Sequence, residues 1–317
     1  MKIFVTGSGG FIGSHLCEAL RDAGHDVTGM AHYRSQDSHA WLDEVDGVRK
    51  VRGDIRDTVW TWNEIVAEGF EAIYHLAALG SVPYSYDAPQ SFIDTNVTGT
   101  KNILDIAVRT GAKLIHMSTS EVYGTAQYEP QDEKHPINPQ SPYAASKVAA
   151  DALVTSFAAT YDMDCTIMRA FNTYGPRQSE RALVATIIRQ YLDPQCEDVR
   201  LGDLNTTRDL LYVKDTCSAL VAALSVKGLG PWNIGTGSSA SVSDLAFALS
   251  DLGKKPVVGS RELMRPEGSE VRRLVCDSTA FRKVSGWRPK WVLGDGLHAT
   301  AEWWRTRPFR KGVCDVV

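Results

Sequence analysis

The sequence is short of several things, and each shortage excludes a class of function. It has six cysteines, Cys17, Cys165, Cys196, Cys217, Cys276 and Cys314. None forms a C-x-x-C pair or sits at zinc-ligand spacing, so no metal is expected. A reducing, cytoplasmic compartment is the simplest reading. There is no basic excess: Lys and Arg total 34 against 38 Asp and Glu, a net charge of -4 and a pI near 6.1. That balance argues against nucleic acid or an anionic membrane as partner. An anionic ligand must then be met by locally placed arginines and backbone N–H groups. No apolar run approaches the roughly 20 residues a membrane span needs. A strand begins at Lys2, which leaves no room for a signal peptide. Repeats and low-complexity tracts are also missing. What is present is an ordinary globular balance, 43% hydrophobic and 23% charged over 317 residues. That length suits one large α/β unit or two intimately joined domains.

The first two-thirds alternates strand and helix. Short apolar runs at 2–6, 26–30, 72–76, 113–117 and 165–169 lack clean period-2 alternation, the pattern of strands buried on both faces. Helical spacing fills 10–23, 91–110 and 143–160 between them. Such alternation predicts an α/β, doubly wound parallel sheet. After Tyr174 the pattern loosens into a loop at 175–180, a helix at 181–192, a strand near 199–201 and a helix at 214–226. A short strand at 231–235, a helix at 242–251 and a last helix ending at Trp303 and Trp304 follow. We expect a dinucleotide-binding Rossmann domain of residues 1–173 plus 209–236. A smaller C-terminal α/β substrate domain would comprise 174–208 plus 237–317.

Gly7, Gly10 and Gly13 follow the first strand and open the first helix. One glycine makes the tight turn, one lets backbone approach a pyrophosphate, and one lets helix and strand pack closely. The helix N-terminus then offers free N–H groups to phosphate. The second strand is followed by Ala31-His32-Tyr33-Arg34-Ser35, with no acid to bind a ribose hydroxyl. Arg34 suits a 2′-phosphate or is simply a solvated loop arginine, so NAD and NADP both stay open. Asp54, after the third strand, is placed for the adenine or is an ordinary turn aspartate.

Tyr143 and Lys147 are spaced i and i+4, one face of a helix. An ammonium beside a phenol is expected to lower its pKa, and a nicotinamide cation would add to this. Such a tyrosine can take a proton from a sugar hydroxyl while hydride leaves the same carbon. Its companion is Thr119-Ser120-Glu121, directly after strand 113–117, where residues beyond a parallel strand face the ligand crevice. A threonine there can bond the hydroxyl being oxidised. A carboxylate there can remove the carbon-5 proton that a carbon-4 ketone acidifies. His75, Trp303 and Trp304 read as packing residues.

Together TGSGGFIG, STSEVYG, SPYAASK and FNTYGPRQ resemble the extended short-chain dehydrogenase/reductase family along nearly the whole chain. Within it the likeness is greatest to bacterial NAD-dependent nucleotide-sugar 4,6-dehydratases of the N-acetylglucosamine type. The resemblance implies Thr119, Tyr143 and Lys147 as the redox set and Glu121 as the carbon-5 base. Ser120 stands where deoxyglucose-type dehydratases carry an acidic Asp, as in GDP-mannose dehydratases. The same Thr-Ser-Glu string occurs in UDP-glucuronate decarboxylases. Decarboxylation and 4-epimerisation therefore remain alternatives, with a non-catalytic dinucleotide sensor a third.

The implied cofactor residues are Gly7, Gly10, Phe11, Ile12, Gly13, Arg34, Asp54, Ile55, Leu76, Ala77, Ala78, Tyr143 and Lys147. NAD or NADP would stay bound and be recycled. Ser81, Val82, Asn172, Arg177, Arg208, Arg265 and Glu270 are the implied contacts of a small-molecule nucleotide sugar. Guanidinium groups suit its phosphates through paired, charge-assisted hydrogen bonds. The helices at 91–110 and 143–160 would pair with a second copy in a four-helix dimer interface.

Overall fold

A computed structural model describes residues 1–33 and 38–307. The chain runs β1 (Lys2–Thr6), α1 (Phe11–Asp22), β2 (Asp26–Ala31), β3 (Arg49–Arg52), α2 (Thr58–Val66), β4 (Ala72–His75), α3 (Val82–Asp87), α4 (Pro89–Phe92), α5 (Gly99–Thr110), β5 (Lys113–Thr119), α6 (Pro142–Tyr161) and β6 (Cys165–Ala170). It continues through β7 (Asn172–Tyr174), α7 (Leu183–Leu192), β8 (Val199–Leu201), β9 (Thr207–Tyr212), α8 (Val213–Ala223), β10 (Trp232–Ile234), β11 (Ser239–Ser241), α9 (Val242–Ala248), β12 (Val257–Gly259), β13 (Arg273–Leu274), α10 (Thr279–Ser285) and α11 (Leu293–Arg305).

Seven strands form one parallel sheet in the order β10-β6-β5-β4-β1-β2-β3. The six strands from β3 to β6 follow the dinucleotide-binding order, with the reversal between β1 and β4, and β10 adds the far edge. The fold expectation is met. Every residue of β4 and β6 is buried, which is why these strands read as apolar runs. Successive side chains of β1 serve opposite faces. Ile3 and Val5 pack with Leu16 and Leu20 of α1 and Leu220 of α8, while Phe4 packs with Ile103 of α5 and Val154 of α6.

The single helix expected at 91–110 is broken into α4, a wide π turn over Ile93–Thr98, and α5. The widened turn carries the buried Asn96, whose amide grips the loop after β4. It accepts from Leu79 N at 2.8 Å and donates to Leu79 O at 3.0 Å. A local π turn of this kind commonly marks a functional site.

The smaller sheet is built around β9. Its first half pairs with β11 and β13, and its second half with β7, which directly follows β6. The boundary expected at residue 209 thus falls inside a continuous strand. Buried Asp209 ties this strand down, accepting from the N–H groups of Thr236, Gly237 and Cys276. The chain rejoins the large sheet through α8, packed on α1, and β10. Among the described residues no helix is long and apolar enough to cross a membrane, and no three His, Cys, Asp or Glu cluster as a metal site.

Candidate active site

The glycine loop and the segment after β4 meet at the carboxyl ends of β1 and β4. Gly7 has φ +71°, and a Cβ there would lie 2.7 Å from Ala77 N. Thr6 Oγ1 accepts from both Leu76 N and Ala77 N at 3.1 Å, which fixes the crossing. A Cβ on Gly13 would come within 2.3 Å of Gly7 O, so glycine is what lets α1 press on the loop. Gly10 is the N-cap of α1, and no side chain caps the helix there. The open N-terminus fits a dinucleotide phosphate: its free N–H groups and dipole favour an anion, and no Cβ obstructs it. Phe11 and Ile12 are half-buried in the first turn, and Ala78 is exposed beside Ala77.

Ile55 is buried, and its carbonyl accepts from Asn102 at 3.0 Å. Asp54 is engaged by Arg56, whose hydrogen bonds hold its carboxyl down to about 2, and lies 3.3 Å from His32 Nε2. Arg34 lies outside the described residues. His75 is the packing residue expected of it, with both ring nitrogens bonded, to Thr6 and to Thr100.

Thr119 ends β5 and turns the chain at once. Its Oγ1 accepts from Glu121 N at 3.2 Å, opening the short turn Ser120–Tyr123, and Gly124 at φ +63° closes it. Ser120 is buried and Glu121 half-buried. Tyr143 arrives from α6, which Ser141 caps by accepting from Ala144 N at 3.1 Å, with Pro142 at the first helical position. This is a strong helix start, and it puts Tyr143 in the first turn with Lys147 one turn on.

The expected lowering of the phenol is corrected by the structure. Burial pushes Tyr143 up to about 12; a hydrogen bond from Thr119 pulls it down, and the Glu121 and Asp151 carboxylates push it up again. Lys147 is instead held down, to about 8, by burial. Its Nζ donates to Met117 O at 2.8 Å. In the protein alone the pair is therefore phenol and ammonium.

The segments around the smaller sheet bring two arginines to the same place. Arg265 Nη1 is 3.7 Å from Glu121 Oε1, and Arg208 Nη2 is 3.2 Å from Glu270 Oε1. Burial lowers the pKa of Arg208, while Glu121 and Glu270 support its charge. Two buried atoms here have no hydrogen-bond partner among the described residues, Arg265 Nη1 and Asn172 Oδ1. Groups buried without partners are uncommon and suit a ligand's polar atoms. The segment 265–270 is tied across the cleft, with Ser269 bonded to Tyr86 and Gly268 O accepting from Gln140 Nε2 at 3.1 Å. Ser81 caps α3 and is exposed, beside buried Val82.

Arg177 does not join this group. It sits at φ +66° and grips Glu18 of α1 with Nη2 at 2.8 Å and Nη1 at 3.0 Å. Its guanidinium is committed to an ion pair with α1, which no local motif could announce. Reading the sequence also missed Asp151, His116 and Arg169 behind Lys147. The signal for Asp151 was available, because 143, 147 and 151 repeat at four-residue intervals on one helix.

Residues 4–300 match the family described as GDP-mannose 4,6 dehydratase. The chain belongs to that family, within the extended short-chain dehydrogenase/reductases. It is 35% identical to the UDP-glucose 4-epimerase of Mycolicibacterium smegmatis, covering 97% of this chain and 99% of that one. Among solved structures it resembles DesIV, a dTDP-glucose 4,6-dehydratase from Streptomyces venezuelae determined with NAD bound. That match has a TM-score of 0.87 and 31% identity, over 96% and 97% of the two chains. It also resembles TunA, an NAD-dependent NDP-hexosamine 5,6-dehydratase, at TM-score 0.86 and 28% identity over both whole chains. The family thus holds one scaffold and several reactions on nucleotide sugars, and the choice among them rests on side chains.

Proposed function

We propose that the chain is a nucleotide-sugar 4,6-dehydratase that yields a 4-keto-6-deoxy sugar nucleotide. The carrying observation is Glu121, a carboxylate close enough to act electrostatically on Tyr143 and near Arg265. Simple 4-epimerisation needs no base at carbon 5, whereas loss of water across carbons 5 and 6 does.

In this reading Thr119 and Tyr143 hold the carbon-4 hydroxyl, and Tyr143 accepts its proton. Lys147 supplies the positive charge that favours the phenolate. Gly7, Gly10 and Gly13 would hold NAD, which would supply the hydride acceptor for carbon 4 and the hydride donor for carbon 6. Glu121 removes the carbon-5 proton, and that proton leaves with the carbon-6 hydroxyl as water, directly or relayed past Ser120; as carbon 6 is reduced a proton returns to carbon 5, balancing the one Tyr143 took from the carbon-4 hydroxyl. Asn172, Arg208 and Arg265 meet the diphosphate, Glu270 orients Arg208, and Ser81 and Val82 line the sugar side. The reading extends to a homodimer packed through α5 and α6, which light scattering on the purified protein checks.

The test is mass spectrometry after incubation with UDP-, GDP-, dTDP- and CDP-sugars. A product lighter by one water is expected from at least one. No mass loss across the panel would overturn the reading. The similarity to a 4-epimerase sustains one competitor: an isomeric product of unchanged mass, formed equally well by Glu121→Gln, selects epimerisation. Release of carbon dioxide from UDP-glucuronate selects decarboxylation.

A further inference from the structure

Lys147 heads a buried polar chain that the chemistry above does not use. Asp151 lies one turn further along α6, and both side chains are buried. From β5, His116 comes between them, its Nε2 3.5 Å from Lys147 Nζ and 3.6 Å from Asp151 Oδ1. From β6, Arg169 holds the other carboxylate oxygen, with Nε and Nη2 each 3.1 Å from Asp151 Oδ2. Arg169 Nη1 also lies 3.1 Å from the Tyr123 hydroxyl, which donates to Asn233 of β10 at 2.8 Å. The other ionisable groups around Lys147 are Tyr143 on its own helix, Glu121 after β5, and His75 on β4, whose ring centroid is 5.4 Å from that of His116.

Two details separate this chain from ordinary packing. His116 Nδ1 and Asp151 Oδ1 are both buried without a hydrogen-bond partner. The imidazole is thus fixed by its Nε2 side alone, between an ammonium and a carboxylate. Burial works against the ammonium of Lys147, and Asp151 is the charge that supports it. Asp151 is in turn kept ionised, against its own burial, by His116, Arg169 and Lys147.

We propose that Asp151 is a positioning residue whose charge, one turn along the same buried helix face, keeps the Lys147 ammonium charged at the cleft, and that Arg169 limits this support by competing for the same carboxylate. The proposal rests on the role given to Lys147 beside Tyr143. It makes opposite demands on two substitutions. Asp151→Asn removes the counter-charge and leaves Arg169 unopposed, so Lys147 gives up its proton at lower pH. Arg169→Gln frees the carboxylate for Lys147, which then holds its proton to higher pH. A role in folding alone has no reason to produce shifts of opposite sign.

The experiment is nitrogen NMR of the full-length protein labelled at lysine Nζ, titrated with pH, with Lys147 assigned by its loss in Lys147→Arg. No ligand is required. The midpoint should fall by about one pH unit, roughly a tenfold change in proton affinity, in Asp151→Asn. It should fall less in His116→Phe, which keeps a ring and removes the nitrogens, and should rise in Arg169→Gln. Shifts of the same sign in Asp151→Asn and Arg169→Gln, or none, overturn the proposal. If Asp151→Asn does not fold, the other two variants decide it. On a turned-over nucleotide sugar, the alkaline limb of kcat should move with each midpoint while KM stays put. Expected NMR shifts in a chain that turns over no sugar would sink the proposed function and leave the Lys147 network standing.

Discussion

At Tyr143 burial holds the phenol near 12, while burial brings Lys147 down to about 8. Thr119 is the neutral group that draws the phenol back. Thr119→Val should therefore cost turnover, by about tenfold or more, since it removes a hydrogen bond to the phenolate and, in the proposed reaction, a contact to the sugar hydroxyl. A pH–rate profile should show the variant's ascending limb displaced to higher pH, because a phenol left higher ionises later. Glu121→Gln separates the two halves of the reaction. In the proposed reaction carbon-4 oxidation calls on Thr119, Tyr143 and Lys147 but not on Glu121, so it should proceed and stop. Turnover should drop by about 10²–10⁴-fold, the usual worth of a general base, with the absorbance of reduced nicotinamide building up in a single-turnover mixture. Full activity in Glu121→Gln would remove the carboxylate from the mechanism.

The three glycines of the first βα turn do different work, and their substitution should separate structure from binding. On Gly13 a Cβ would strike Gly7 O at 2.3 Å, so Gly13→Ala must push α1 off β1. On Gly10, whose φ is an ordinary -82°, a Cβ meets only Gly7 O at 3.1 Å. Gly10→Ala should melt close to the parent yet bind NAD weakly, because the added methyl lies where phosphate approaches the helix N-terminus. Gly13→Ala should lose both, with stability down by about 2 kcal/mol or more; calorimetry and NAD titration read the two effects. These glycines were legible in the sequence because a strand, a tight turn and a helix follow within a dozen residues. β1 has the ends read for it, while β2 runs on to Ala31 and α6 spans Pro142–Tyr161, each just beyond the 26–30 and 143–160 read from local pattern. The π turn at Ile93–Thr98 was not legible, because it is fixed by Asn96 reaching the distant Leu79 backbone. The run STSEVYG showed where Glu121 would be. Its proximity to Arg265 depends on how segment 265–270 folds back, and Tyr86 and Gln140 settle that from elsewhere in the chain.

Across the whole molecule, segments distant in sequence are held by long-range contacts that no motif announces. Arg307, just past α11, pairs with Glu44 at 2.8 and 2.9 Å and stacks over Trp303 and Trp41. Trp41 in turn donates its backbone N–H to Gly9 O at 3.3 Å, so the last helix reaches the rim of the glycine loop. The second tie is Arg177 with Glu18, reinforced by His15, which bonds Pro176 O at 3.0 Å. Burial raises the Glu18 carboxyl, but hydrogen bonds from His15 and Arg177 outweigh it and hold it at about 2 against an ordinary 4.5. A carboxyl depressed on folding stabilises the native state above its unfolded value and loses that contribution as pH falls toward its folded one. Glu18→Gln should therefore cost about 1–2 kcal/mol at neutral pH, less than a fully buried pair because Glu18 keeps part of its surface in water. The gap between parent and variant should close as pH falls from about 4.5 to about 2 in denaturant titrations. A gap that stayed constant through that window would mean the charge of Glu18 contributes nothing and Arg177 meets α1 by packing alone.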